Sequence, residues 1–162
     1  MALGFNANEI LQMAEQIERN GARFYREAAV SCGDCELKER LLELAKMEDG
    51  HERTFADMRA ALSGAETQSF TFDPSGDAEQ YLMAMADANV FDPDVDLADA
   101  VSGMSPEEIL DVAIDLEKES IVFYLGLRET VSEKAGKDKV EAILKQEMSH
   151  VALLRGYLNE LA

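Results

Sequence analysis

The chain has 162 residues, which is enough for one ordinary domain with a sizeable core. Its 33 acidic residues against 15 basic ones give a formal net charge of −18, which argues against nucleic acid and anionic membranes as partners because both require a basic patch. A hydrophobic content of 47% with only 3 prolines fits a folded protein with room for long helices.

The N-terminal stretch MALGFNANEILQMAEQ has no basic flank, no sustained apolar core and no cleavage-like site. No apolar run approaches the length of a membrane span, so a cytoplasmic protein is expected. Helical periodicity begins at about Asn8 and runs to Val30, with Leu11, Ala14, Glu18, Gly21, Tyr25 and Ala28 on one stripe. The turn that follows carries Cys32 and Cys35. They are expected to be free thiols rather than a disulfide framework, with three roles open: incidental loop thiols, a redox pair, or half of an intersubunit metal site. Cys32 lies 14 residues from Glu18, about 21 Å along a helix, near one end of any bundle.

A second helix is expected from about Leu37 to Leu62, with Leu37, Leu41, Leu44, Glu48, His51, Phe55, Met58 and Leu62 in line. A long connection follows, broken by Pro74 and Pro93, in which AEQYLMAMADA (78–88) predicts a short extra helix. The third long helix, from about Glu107 to Val131, aligns Leu110, Ala113, Glu117, Ser120, Tyr124 and Leu127. The last, from about Asp138 to Leu161, aligns Val140, Ile143, Glu147, His150, Leu154, Tyr157 and Leu161. Steps of three and four of this kind form the seam of packed, nearly antiparallel helices. Each seam here holds a glutamate, or a Glu/His pair, where a bundle would otherwise place leucine.

A shift of 99 positions lays the first half on the second without a gap: Glu18, Tyr25, Glu48 and His51 fall on Glu117, Tyr124, Glu147 and His150. The helix starts correspond too, Asn6 with Glu9 and Ser105 with Glu108 each reading as a capping box. The chain is therefore expected to be an all-α, duplicated four-helix bundle. Its hairpins span 5–63 and 105–162, and a crossover at 64–104 returns along the bundle.

Glu48/His51 and Glu147/His150 are i, i+3 pairs, so each pair projects from one helix face, and the two pairs contain both histidines of the chain. With Glu18 and Glu117 they make four carboxylates and two imidazoles converging in the interior. Such a cluster is very unfavourable unless neutralised, and no lysine or arginine falls at the matching seam positions. Two divalent cations would supply the missing charge, and mixed oxygen and nitrogen ligation suits iron or manganese. This is the ligand pattern of di-iron carboxylate bundles.

The segments IERNGARFYREAA and LEKESIVFYLGLR, with KMEDGH and KQEMSH, resemble the four helices of a rubrerythrin-type member of the ferritin-like superfamily. The resemblance covers nearly the whole chain apart from the crossover. It implies a single ferritin-like domain over 1–162 with Glu18, Glu48, His51, Glu117, Glu147 and His150 as ligands of two iron ions, manganese or zinc being substitutes. Tyr25 and Tyr124 are either groups whose hydroxyls orient those carboxylates or plain aromatic core. Classical rubrerythrins carry a further glutamate one turn beyond the third-helix ligand, where this chain has Ser120, and a four-cysteine rubredoxin domain that it lacks. The implied activity is reduction of hydrogen peroxide or dioxygen, with electrons from a separate donor, rubredoxin-like or other, in a homodimer. A ferroxidase or iron-storage role and a non-catalytic bundle are the competing readings.

Overall fold

The computed structural model describes residues 6–33, 36–62, 75–86, 94 and 96–162, apart from the side chains at 78, 79, 83 and 86. Six helices occur among them: α1 (Ala7–Ser31), α2 (Leu37–Ala60), α3 (Asp77–Ala86), α4 (Leu97–Val101), α5 (Pro106–Thr130) and α6 (Lys137–Leu161). The four long ones lie within a residue or two of the expected bounds. Both capping boxes form. The Asn6 and Ser105 side chains accept from the amides of Glu9 and Glu108, and both glutamates accept in return from the cap amides. Each cap contributes about 1 kcal/mol to starting its helix. The α6 start has no side-chain cap; the chain enters it through Gly136 at φ 108, a conformation that glycine adopts without a Cβ clash.

The seams face inward as the periodicity requires, and two apolar clusters result. One joins Leu11 and Ala14 of α1 to Phe55 and Met58 of α2, Tyr124 and Leu127 of α5, and Val140 and Ile143 of α6. The other joins Tyr25 and Ala28 of α1 to Leu41 and Leu44 of α2, Leu110 and Ala113 of α5, and Leu154 of α6. The beginnings of α1 and α6 thus share one end of the bundle with the ends of α2 and α5. Neighbouring long helices are antiparallel, whereas α2 and α5 are parallel. A parallel pair cannot be joined by a short turn, which is why the crossover exists. Along its return, Leu82 of α3 joins the first cluster and Val101 of α4 the second.

Three expectations need correction. Helix α4 was not anticipated, because LADAV is too short to show a periodicity. Leu161, placed on the α6 seam, is 43% exposed, since the seam has run past the end of the core by then. Cys32 is disulfide-bonded rather than free. Composition does not report local geometry, and Gly33 at φ 65 lets the chain turn tightly beside it. Cys35, Pro74, Pro93 and residues 87–88 of the expected crossover helix lie outside the described residues. No described helix is long and apolar enough to cross a membrane.

Helix α3 docks on α5 through Leu82 and a close approach of Tyr81. The Tyr81 hydroxyl donates to the Val122 carbonyl, and its ring lies where a Cβ on Gly126 would stand, 2.6 Å away. Gly126→Ala should therefore destabilise the protein by about 1–3 kcal/mol in urea unfolding. Gly156→Ala, a helix position with no atom within 4 Å of the added Cβ, should stabilise it by about 0.5–1 kcal/mol. Equal effects of the two would contradict the docking.

Candidate metal centre

Between the two apolar clusters lies a polar layer. Glu18 comes from α1, Glu48 and His51 from α2, Glu117 from α5, and Glu147 and His150 from α6; none is more than 5% exposed. All six residues singled out in the sequence are therefore brought together. Helical spacing does this locally: Glu48 and His51 sit one turn apart on one face, and Glu18 lies at the same depth on the helix packed beside it.

The donor atoms fall into two sets, each with all members within 4.8 Å of one another: Glu18, Glu48, His51 and Glu147 in one, and Glu48, Glu117, Glu147 and His150 in the other. Glu48 and Glu147 belong to both. Each set takes three residues from one hairpin and one carboxylate from the other. The internal duplication is visible in the distances. His51 Nδ1 is 2.7 Å from Glu147 and 3.4 Å from Glu18, while His150 Nδ1 is 3.1 Å from Glu48 and 3.5 Å from Glu117. The two imidazole rings lie 5.6 Å apart and nearly parallel, at 16°.

Glu18 Oε2, Glu48 Oε1, His51 Nδ1 and Glu147 Oε1 are all buried, and none completes a hydrogen bond. Unpaired buried polar atoms are rare and costly, and four converging on one point is the arrangement a cation satisfies. The nearby arginines are engaged elsewhere, Arg59 with Glu15, Arg19 with Glu52, and Arg26 with Asp49. The donor set thus fits a pair of divalent ions of the iron or manganese type.

The electrostatics agree. Burial pushes the Glu18 and Glu117 carboxyls well above the ordinary carboxylate range, and the neighbouring carboxylates of Glu48 and Glu147 push them further. Burial would lower the imidazoles, but the carboxylates outweigh it. Glu147 and Glu18 hold His51 up at about 11, and Glu117, Glu147 and Glu48 hold His150 up at about 12. Glu147 is likewise held below its usual range by His150 and His51, against the effect of its own burial. In the absence of cations these residues can be neutralised only by protons.

Both tyrosines reach the centre, and they cross. Tyr25 on α1 donates to Glu117 on α5, and Tyr124 on α5 donates to Glu18 on α1. The hydroxyls do reach the carboxylates, and the partner in each case is the glutamate of the other hairpin. Each carboxylate outside the shared pair is thereby fixed by a phenol. Gly21 lies against Glu48, a Cβ there falling 3.2 Å from Oε2. Ser120, its counterpart, donates to the Leu116 carbonyl of its own helix. Sequence reasoning missed Gln146, whose Oε1 lies 2.5 Å from His51 Nε2. Its position immediately before Glu147, one turn before His150, was the available signal.

Metal ligation needs neutral imidazole and ionised carboxylate, so loading must displace protons. Addition of a divalent metal at pH 7 should release about two to four protons per chain, one from each imidazolium and up to one each from Glu18 and Glu117. Apparent affinity should accordingly rise with pH. Calorimetry in buffers of different ionisation enthalpy measures the release; none at all would contradict this charge balance.

A family model described as Rubrerythrin matches residues 9–158. Among solved structures, one described as a ferritin-like diiron-carboxylate protein from Thermotoga maritima aligns over 100% of both chains, at 27% identity and a TM-score of 0.78. No curated protein matches the chain. The fold is a ferritin-like helical bundle, and the chain belongs to the rubrerythrin family.

Proposed function

We propose that this centre holds two iron ions and reduces hydrogen peroxide or dioxygen, with electrons supplied by a separate donor. The observation that carries the reading is the overlap of the two donor sets at Glu48 and Glu147. A shared carboxylate pair is what a dinuclear site requires and what two independent mononuclear sites would lack. Glu18 and His51 complete one position; Glu117 and His150 complete the other. Bound there, the iron pair supplies the two electrons that, with two protons, take hydrogen peroxide to two water molecules.

The chain's own residues do the rest. Tyr124 and Tyr25 hold Glu18 and Glu117 in fixed orientations, so that the carboxylates need not reorganise to receive a cation. The apolar clusters on either side keep bulk water from the layer, which strengthens every charge interaction within it. Gly21 leaves the Glu48 carboxylate its place, because any larger residue would press on Oε2. Manganese or zinc can occupy the same donors, but zinc has no redox change to offer. In this reading the electron donor is a separate protein, rubredoxin-like or other. A cytoplasmic homodimer completes the reading.

Anaerobic reconstitution with iron(II) tests it. The expected result is two irons per chain and oxidation by peroxide far faster than by dioxygen. Uptake of many irons per chain into a large shell would move the assignment to iron storage, and a folded protein that retains none would remove it. Glu48→Ala and Glu147→Ala should each abolish dinuclear loading, because each removes a donor from both positions. Glu52→Ala, which breaks only a surface pair with Arg19, should load as the wild type does. Equal iron content in all three variants would sink the ligand assignment.

A further inference from the structure

The six clustered residues and both tyrosines match under the 99-residue duplication, but the residue behind one histidine does not. Beyond the donor sets, Tyr124 holds Glu18 and Tyr25 holds Glu117, so the two phenols are equivalent under the 99-residue duplication. Outside the ring of His51, Gln146 supplies an amide oxygen 2.5 Å from Nε2. The duplication-related position on α2 is Met47. A thioether is only a weak acceptor and cannot do for His150 what the amide does for His51. We propose that Gln146 is a positioning residue for His51, and that it makes the metal position at Glu18 and His51 the tighter of the two and the first to fill. The inference rests on the dinuclear reading and adds an order to it.

The physical route is short. Nε2–H donates to Gln146 Oε1, which leaves Nδ1 as the nitrogen that carries a lone pair into the donor set, where it already lies 2.7 Å from Glu147. An acceptor behind a ligating imidazole fixes the ring's tautomer and rotation and raises its basicity toward the metal. The hydrogen bond also runs from α6 to α2, across the line where the two hairpins meet. Gln146 is itself exposed, so in its absence water can reach Nε2 and replace part of what it does. The effect therefore belongs at the lower end of the usual range for such outer partners, about tenfold in affinity.

The test is an anaerobic cobalt(II) titration of the metal-free protein, with a chelator as competitor, in wild type and three variants. Wild type should bind two cobalt ions with resolved constants. Gln146→Leu should weaken the tighter constant about tenfold and leave the other nearly unchanged. Gln146→Glu, which keeps an acceptor oxygen, should retain the tight constant. Met47→Gln, which puts an amide at the duplication-related position on α2, should tighten the weaker one. In zinc-loaded protein, the Nε2 proton of His51 should exchange with solvent more slowly than that of His150, and Gln146→Leu should erase the difference. Gln146 sits on the surface, so Gln146→Leu is expected to fold, and circular dichroism of the metal-free forms checks that it does. Unchanged constants in Gln146→Leu, equal weakening of both, or wild-type constants that do not separate would each overturn the inference while leaving the dinuclear centre standing. Wild type that takes up fewer than two metals overturns both.

Discussion

Negative charge buried at mid-bundle is the constraint around which this molecule is arranged. Four seam positions hold glutamate where leucine would each contribute about 1.5–3 kcal/mol of burial. The carboxylates also carry a desolvation cost of several kcal/mol each. Hydrogen bonding within the cluster does not offset this, since Glu18, Glu48 and Glu147 each keep a buried oxygen with no partner. Only positive charge can, whether as protons on the imidazoles and two of the carboxyls or as cations among them. The apolar clusters on both sides then have two tasks: they hold the helices together, and they keep the dielectric low enough that bound cations are held strongly.

Duplication explains how so costly an arrangement is reached with few residues. One hairpin provides three donors of a set and lacks the fourth, which the other hairpin provides. The phenols follow the same rule, each reaching across to the other hairpin's glutamate. Neither half can satisfy its own charges, so cation binding would be coupled to hairpin docking. This matters because α1 with α5 and α2 with α6 meet only sparingly compared with the packing inside each hairpin. Cations bound among the six residues would add cohesion between hairpins whose backbones approach less closely than do the helices within each.

Most of this was legible in the chain because the signals were periodic. Leu11, Leu41, Leu110 and Val140 announced their faces by steps of three and four, and the capping boxes announced two of the starts. The six central residues stood out because charge at a seam position contradicts the pattern around it. What was not legible depends on contacts between distant residues. Spacing along one helix does not say which carboxylate Tyr25 meets, and only the packing of α1 on α5 shows that its hydroxyl goes to Glu117. Gln146 looked like an ordinary surface residue, since an exposed amide carries no periodic signal. Cys32 was misread for a related reason: its pairing depends on the shape of a turn, which composition does not report.

In the proposed dinuclear centre, the departure at Ser120 would narrow the possible response to a change in metal charge. A glutamate at that position could reach a metal and take over from another donor; a serine is shorter, and its hydroxyl is engaged with the Leu116 carbonyl. Its counterpart Gly21 has no side chain to offer and lies against Glu48 instead. Neither half can therefore bring in a seventh ligand from the turn beyond its glutamate. Adjustment is left to the carboxylates already present. Glu18 and Glu117 are each tethered by a phenol, whereas the shared pair, Glu48 and Glu147, lies within reach of both positions. If two metal ions were bound, Glu48 and Glu147 would be the carboxylates left to adjust to a change in their charge. The phenol-tethered Glu18 and Glu117 and the shared Glu48 and Glu147 are consequences of the same duplication, and the small residues at 21 and 120 add no further carboxylate to the six-residue cluster.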